Sequence, residues 1–511
     1  MPNPFSVSEA QFSDLLTQIH DIITKYYISN PPKEIRPSKD VLQTTIQAEP
    51  PTALQKEPLG TYVTIQNLLN DLLPGIFVQS SPHFYGFVTG GALPPALLAD
   101  FLVTMLDLDV MVHLPKDSIH TTIERHTIYL LCDLFQLPRS FAPGSTITTG
   151  ATGSNIVGLA CGREWLFSRD DPSCSIAKIG YLQAAIKSGV HNGIKMVVSK
   201  PHSSIAKAAS ILGLGSENLI NLPASEAEPW NMDFERLESL LAKQQEDKVR
   251  YIVVGQLGEV NTGRFMNNVP RLRELCTKYG AWLHVDAAFG LPVRCVNVYD
   301  EETEGLADWN RIYNWCSGVE LADSITSDGH KLVNVPYDAG LFFSRHPDVL
   351  QRVFENPGAA YLATSGVDIV APCNVNIENS RRFRALPIYA ALKALGKSGY
   401  SALIRRLIVH ARMIARIIKD ELYQYYELIF PNIDDLFMVV LFRAKDDTLN
   451  EVLAEQINST GKIWVSGTSW GGSKAVRIAA ANWRVNLEEE GFGGVAIIRD
   501  VLKEVASFNS S

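Results

Sequence analysis

The sequence predicts an α/β protein. Its main body, residues 86–380, reads as a mostly parallel, doubly wound sheet, with a helical arm at 1–85 and a small α+β domain at 381–511. Three observations predict this. Short β-rich runs at 195–199, 249–254, 282–285 and 340–343 alternate with helical stretches at 233–243 and 269–279, and strands separated by helices imply parallel pairing. Beyond Ser380 the pattern changes to a long helical stretch at 382–420, short strands at 436–442 and 475–480, and a closing helix at 494–507. At the start, Ser8 and Gln11 have the spacing of a capping box, and Phe12, Leu15, Leu16, Ile19, Ile22, Ile23, Tyr26 and Tyr27 follow at helical spacing. A polar, proline-rich stretch separates this helix from the body, so it packs either on a second copy of the chain or on its own.

Composition narrows the function classes. Of 511 residues, 46% are hydrophobic and 20% charged, which is ample apolar material for packed cores and argues against disorder. The net charge of −9 and the lack of any wide basic run argue against a nucleic-acid partner. Cys132, Cys161, Cys174, Cys276, Cys295, Cys316 and Cys373 are dispersed and form no CxxC pair, which suits reduced thiols and neither a disulfide framework nor a zinc ribbon. No basic, apolar leader opens the chain. The most apolar stretch, 92–112, is interrupted by Pro94, Pro95, Asp100, Asp107 and Asp109, so no membrane segment is expected. These features predict a soluble, cytoplasmic protein.

Four segments at predicted strand ends could carry chemistry, and ligands of such sheets bind at carboxyl strand ends. Thr149-Gly150-Ala151-Thr152-Gly153-Ser154-Asn155 opens a helix and could cradle a phosphate on backbone N–H groups; a glycine-rich turn with a hydroxyl cap would look the same. His284-Val285-Asp286-Ala287-Ala288 ends a strand with two polar side chains on one face. Small residues beside Asp286 suit a flat ring next to a buried carboxylate, although a structural aspartate is an alternative and no further ligand at metal spacing lies nearby. Asp328-Gly329-His330-Lys331 puts a lysine among small and apolar neighbours, where it could act as a nucleophile toward an aldehyde. Pro201-His202-Ser203-Ser204 places an imidazole after a strand, able to stack on a ring or to complete a hydrogen-bond network. Together the four describe a pyridoxal phosphate site.

In that order the motifs resemble those of the group II pyridoxal-phosphate-dependent amino-acid decarboxylases, the family of the aromatic L-amino-acid, histidine and glutamate decarboxylases, over about 82–483. The resemblance implies the aspartate aminotransferase-like fold (fold type I) and a homodimer whose active site lies at the interface, embraced by the N-terminal arm. It implies that Lys331 carries the cofactor as an internal aldimine, that Asp286 pairs with the ring nitrogen, and that His202 and Ala288 cover the two ring faces. Ala151, Thr152 and His330 would serve the phosphate, and Asn261 and Thr262 would lie near the cofactor. Tyr361, in a segment where Pro357, Gly358 and Gly366 suit a closing loop, would protonate the quinonoid left when the external aldimine loses carbon dioxide. Relatives with phenylalanine there tend toward aldehyde formation, so Tyr361 favours simple decarboxylation.

Substrate choice is carried by fewer residues. Pro82-His83-Phe84-Tyr85-Gly86-Phe87 resembles the family's substrate-lining stretch, but Val88 and Thr89 replace a Phe-Pro pair. Phe84 and Phe87 favour an aromatic or large apolar amino acid as substrate, and Trp470 either helps line the pocket or packs at the surface. The arginines of Arg381-Arg382-Phe383-Arg384 hold either structure or a carboxylate. Two alternatives stand beside decarboxylation: a carbon–carbon lyase or oxidative aldehyde-forming enzyme on the same cofactor, and a non-catalytic dimeric binding or regulatory homologue.

Overall fold

The computed structural model describes residues 7–25, 35–47, 54–296, 306–356, 369–488, 491 and 493–508. They divide into two compact units, one of residues 90–412 and 432–440, the other of 1–89, 413–431 and 441–511.

The first unit contains, in chain order, β1 (Asp109–Val110), β2 (Thr146–Thr148), β3 (Ile194–Val198), β4 (Leu219–Asn221), β5 (Arg250–Gln256), β6 (Trp282–Asp286), β7 (Ser324–Asp328), β8 (Gly340–Ser344) and β9 (Arg381–Arg382). Seven of these form one sheet in the order β2-β8-β7-β6-β5-β3-β4. The pairs from β4 through β3, β5 and β6 to β7 are parallel, and β8 runs antiparallel to both β7 and β2. The expected mostly parallel α/β sheet is therefore present. Every residue of β6, β7 and β8 is buried, as a sheet covered on both faces requires.

Register aligns the chemistry. Gln256 pairs with Asp286, and Asp286 with Thr326. Side chains alternate across a strand, so Gln256, His284, Asp286, Ser324, Thr326 and Asp328 share one face. The helix Ala151–Ser168 covers that face closely because two of its residues have no side chain. A Cβ at Gly158 would lie 2.5 Å from the His284 ring, and one at Gly162 would lie 2.9 Å from Trp282.

Other boundaries follow local chemistry. The helix Val269–Tyr279 matches its predicted span: Asn268 caps it, Pro270 lies in its first turn, and Gly280 ends it in a left-handed conformation. The long helix expected at 382–420 instead spans Ala385–Arg416 and is broken at Gly396, whose φ of +58° is not helical. β2, β4 and β7 were not among the predicted strands. β7 reads as polar because Ser324, Thr326 and Asp328 face the covering helix.

In the second unit the predicted capping box is present: Ser8 opens the helix Glu9–Ile23, which buries only Leu15. Phe12, Leu16 and Ile19 of this helix are exposed, while Tyr62 and Gln66 bond to its Asp14 and Gln18. Tyr26 and Tyr27 lie outside the described residues. A four-stranded sheet follows the order β10-β11-β13-β12, with β10 Tyr426–Leu428, β11 Val439–Ala444, β12 Ser466–Trp470 and β13 Ser473–Ala479. The closing helix is Ala496–Phe508.

Gly158→Ala tests the close packing. Its added methyl group meets the buried His284 ring, and overpacking of this kind costs about 1–3 kcal/mol. A lower midpoint of thermal unfolding is expected, and an unchanged midpoint would mean that the helix does not bear on the sheet here.

Candidate active site

The carboxyl ends of β5, β6 and β7 form the floor of the site, and the first turn of the helix Ala151–Ser168 faces it. Asn155, one turn into that helix, is the link between the two. Its Nδ2 donates to Asp286 Oδ2 at 2.9 Å and to Ser204 Oγ at 3.0 Å, and its Oδ1 lies 2.9 Å from His284 Nε2. Asp286 is buried, and its other oxygen accepts from Ala288 N–H at 3.1 Å. Both carboxylate oxygens thus have a protein donor, which lets a buried charge persist.

Hydrogen positions follow by elimination. The Asn155 amide spends both hydrogens on Asp286 and Ser204, so His284 must donate from Nε2. His284 Nδ1 then accepts from Ser324 Oγ at 2.7 Å, and Ser324 in turn accepts from the Trp282 indole at 3.0 Å. At the far end, Ser204 Oγ donates to His202 Nδ1 at 2.8 Å. Burial pushes the His284 imidazole down to about 4, which agrees with a neutral ring.

Lys331 stands just beyond β7, in the turn Gly329–Val333. Its Nζ is 2.9 Å from Asp328 Oδ2 and 5.9 Å from the Phe289 ring centre. Asp328 Oδ1 accepts from Ala151 N–H at 2.6 Å, so one carboxylate joins the lysine to the N-terminus of the covering helix. His330 stacks on Tyr337 at 4.0 Å and accepts from Ala339 N–H at Nδ1; burial lowers its pKa. Backbone packing fixes the turn: Tyr400 OH donates to Val333 O, and a Cβ on Gly90 would lie 2.0 Å from Lys331 O.

The structure therefore brings Ala151, Thr152, His202, Asp286, Ala288, His330 and Lys331 to the strand ends of one sheet. Lys331 and Asp286 follow adjacent strands, joined by the Asp328 N–H to Ala288 O bond. Asn261 and Thr262 follow β5 and turn about buried Glu259, whose Oε2 accepts from both of their N–H groups and from the Thr262 hydroxyl. Arg381 pairs with buried Glu124, Arg382 with Asp100 and Arg384 with Asp338; these guanidinium groups hold structure. Phe84, Phe87 and Trp470 belong to the second unit. There Phe84 is buried and stacked on Trp464 at 5.0 Å, Phe87 is 59% exposed, and Trp470 meets Phe430 edge-on. Tyr361 lies outside the described residues. Sequence reasoning gave no role to Asn155, Ser204, Glu259, Ser324 or Asp328. Asn155, Ser204 and Asp328 stood inside quoted motifs, and that was their only signal. Among the described residues, no group of three or more His, Cys, Asp and Glu could hold a metal, and no helix is long and apolar enough to cross a membrane.

Comparison with known proteins follows this geometry. Residues 44–445 match the family described as the pyridoxal-dependent decarboxylase conserved domain. The chain is 24% identical over 459 residues to an L-2,4-diaminobutyrate decarboxylase of Acinetobacter baumannii, covering 86% of this chain and 82% of that one. It is 25% identical over 447 residues to an aromatic-L-amino-acid decarboxylase of Bacillus atrophaeus, covering 83% of each. Among solved structures, the Oryza sativa TDC with PLP and tryptamine superposes with a TM-score of 0.79 at 20% identity, over 99% of both chains.

The neutral His284 predicts an acid response. A histidine held to about 4 against an ordinary 6.5 leaves the unfolded chain binding more protons between those values. Its contribution is therefore complete above pH 6.5 and lost as pH falls toward 4, a loss of about 3 kcal/mol. His83, likewise lowered by burial to about 4, adds a slope of the same sign. His284→Gln is expected to flatten the fall of melting temperature between pH 6.5 and 4, leaving the parts of His83 and of His330, which burial also lowers; an unaltered slope would mean that His284 is charged in the folded protein.

Proposed function

The chain belongs to the pyridoxal-dependent decarboxylase family, and from that premise we propose that it decarboxylates an L-amino acid with an aromatic or large apolar side chain, releasing the amine and carbon dioxide. The observation that carries the proposal is that Lys331, just beyond β7, and the buried, doubly hydrogen-bonded Asp286, at the end of β6, stand at the carboxyl ends of neighbouring parallel strands.

The residues present fit pyridoxal phosphate. A helix N-terminus with small residues suits an anion, a buried carboxylate suits a cationic ring nitrogen, and an amine lies at the same strand ends. The buried Gln256 Oε1, in register with Asp286, has no partner among the described residues and would accept a donor. When bound, the cofactor supplies an aldehyde that condenses with amines and a ring that takes up the electron pair left by departing carbon dioxide.

The protein's part is to bind, orient and move protons. Lys331 would hold the aldehyde. Asp286, fixed by Asn155 and Ala288, would keep the ring nitrogen protonated, and His202, oriented by Ser204, would stack on the ring against Ala288 on the other face. Ala151, Thr152 and His330 would hold the phosphate, with Asn261 and Thr262, gathered by Glu259, along a polar edge. Tyr361 would return a proton to the former α-carbon. For the substrate, Phe87, whose ring is exposed and tilted against Trp464, would offer an aromatic surface, and Phe84 and Trp470 would add to it.

A homodimer is supported by apolar surface left uncovered within each unit: Phe12, Leu16 and Ile19 on the first helix, and Leu98, Phe101, Leu102 and Met105 on the helix Pro94–Met105. Patches of this kind mark association sites. Seven buried, unpaired cysteines support a reducing, cytoplasmic setting.

Incubation with a panel of L-amino acids, read by mass spectrometry of amines and by carbon dioxide release, tests the reaction. Amines from aromatic or large apolar amino acids are expected. Turnover confined to acidic or basic amino acids would overturn the substrate class, and aldehyde with peroxide in place of amine would overturn the reaction. Lys331→Ala should abolish both turnover and cofactor absorbance. Tyr361→Phe should lower amine formation by about 100-fold or more, the scale of a lost general acid, while cofactor absorbance is kept.

A further inference from the structure

Asp328 holds the groups that the cofactor would need. Its side chain is 2% exposed. Oδ1 takes the Ala151 N–H at 2.6 Å, on the first residue of an 18-residue helix, and lies 3.7 Å from His330 Nε2. Oδ2 takes the Lys331 ammonium at 2.9 Å. A carboxylate thus occupies the positive end of a helix, where an anion is favoured, and is also the counter-ion of the lysine.

We propose that Asp328 is a built-in anionic competitor for the phosphate seat, holding Ala151 and Lys331 in a paired state that the cofactor must displace in order to load. The inference rests on the cofactor reading above. A phosphate arriving at the first turn finds an N–H already taken, and a like charge a few ångströms away opposes it. Removing the charge while keeping the side chain's shape should ease phosphate binding. Any effect through Lys331 alone would act on the aldehyde and would not distinguish ligands with and without a phosphate.

The test uses the full-length chain stripped of cofactor and titrated with pyridoxal phosphate or with pyridoxal, bound ligand being read by absorbance and by quenching of tryptophan fluorescence. Asp328→Asn is expected to tighten pyridoxal phosphate by about tenfold, equivalent to about 1.4 kcal/mol, and to change pyridoxal by less than about threefold. Asp328→Ser, uncharged and smaller, should separate the two ligands in the same direction and serves if the asparagine variant does not fold. An unchanged or weakened affinity for pyridoxal phosphate would overturn the proposal, as would equal shifts for both ligands. Wild-type protein that takes up neither ligand would overturn the underlying cofactor reading, and this inference with it.

Discussion

The Asn155 side chain is the interaction on which the site depends. It reaches Asp286 and His284 across 131 and 129 residues of chain, and Ser204 besides. An amide can do this because it offers two donors and an acceptor in one plane. It can reach because Gly158 and Gly162, one and two turns further along the same helix, remove the side chains that would hold helix and sheet apart. Packing and polar satisfaction are thus one requirement: a helix standing further off would leave a buried carboxylate without its donor and a buried imidazole without its acceptor.

A second constraint acts on the turn that bears Lys331. The sequence places Asp328 three residues before the lysine, and the structure uses this spacing to pair the two. Gly90 and Tyr400 then pin the turn's carbonyls from elsewhere in the same unit. The amine is therefore presented from a backbone fixed on several sides, which is how a side chain is kept in one geometry without a rigid stem.

Much of the fold was legible because its strands are apolar and its helices end on residues with a mechanism. Val269–Tyr279 is the clearest case, bounded by Asn268 and Gly280. β7 was not legible, because alternating serine, threonine and aspartate satisfy a covered polar face and resemble a loop. Gly396 was overlooked because strong helix formers surround it, and only its positive φ reveals the break. In the site, the segments containing Lys331, Asp286 and His202 could be read, since each is local. The network that orients them could not, because Asn155 and Ser324 acquire partners, and Ser204 its Asn155 donor, only when distant segments meet. The aromatic pair Phe84 and Phe87 looked equivalent in sequence; stacking on Trp464 buries the first and leaves the second exposed.

The direction of the hydrogens from Trp282 to His202 has a consequence for charge. Each member gives forward, from indole to Ser324, to His284, to Asn155, and from there to Asp286 and Ser204. A relay of protons would need every link to reverse, and a carboxamide in the middle neither accepts a proton onto its nitrogen nor releases one. The chain acts as an oriented row of dipoles and not as a wire, with the Asn155 amide aiming a donor at Asp286.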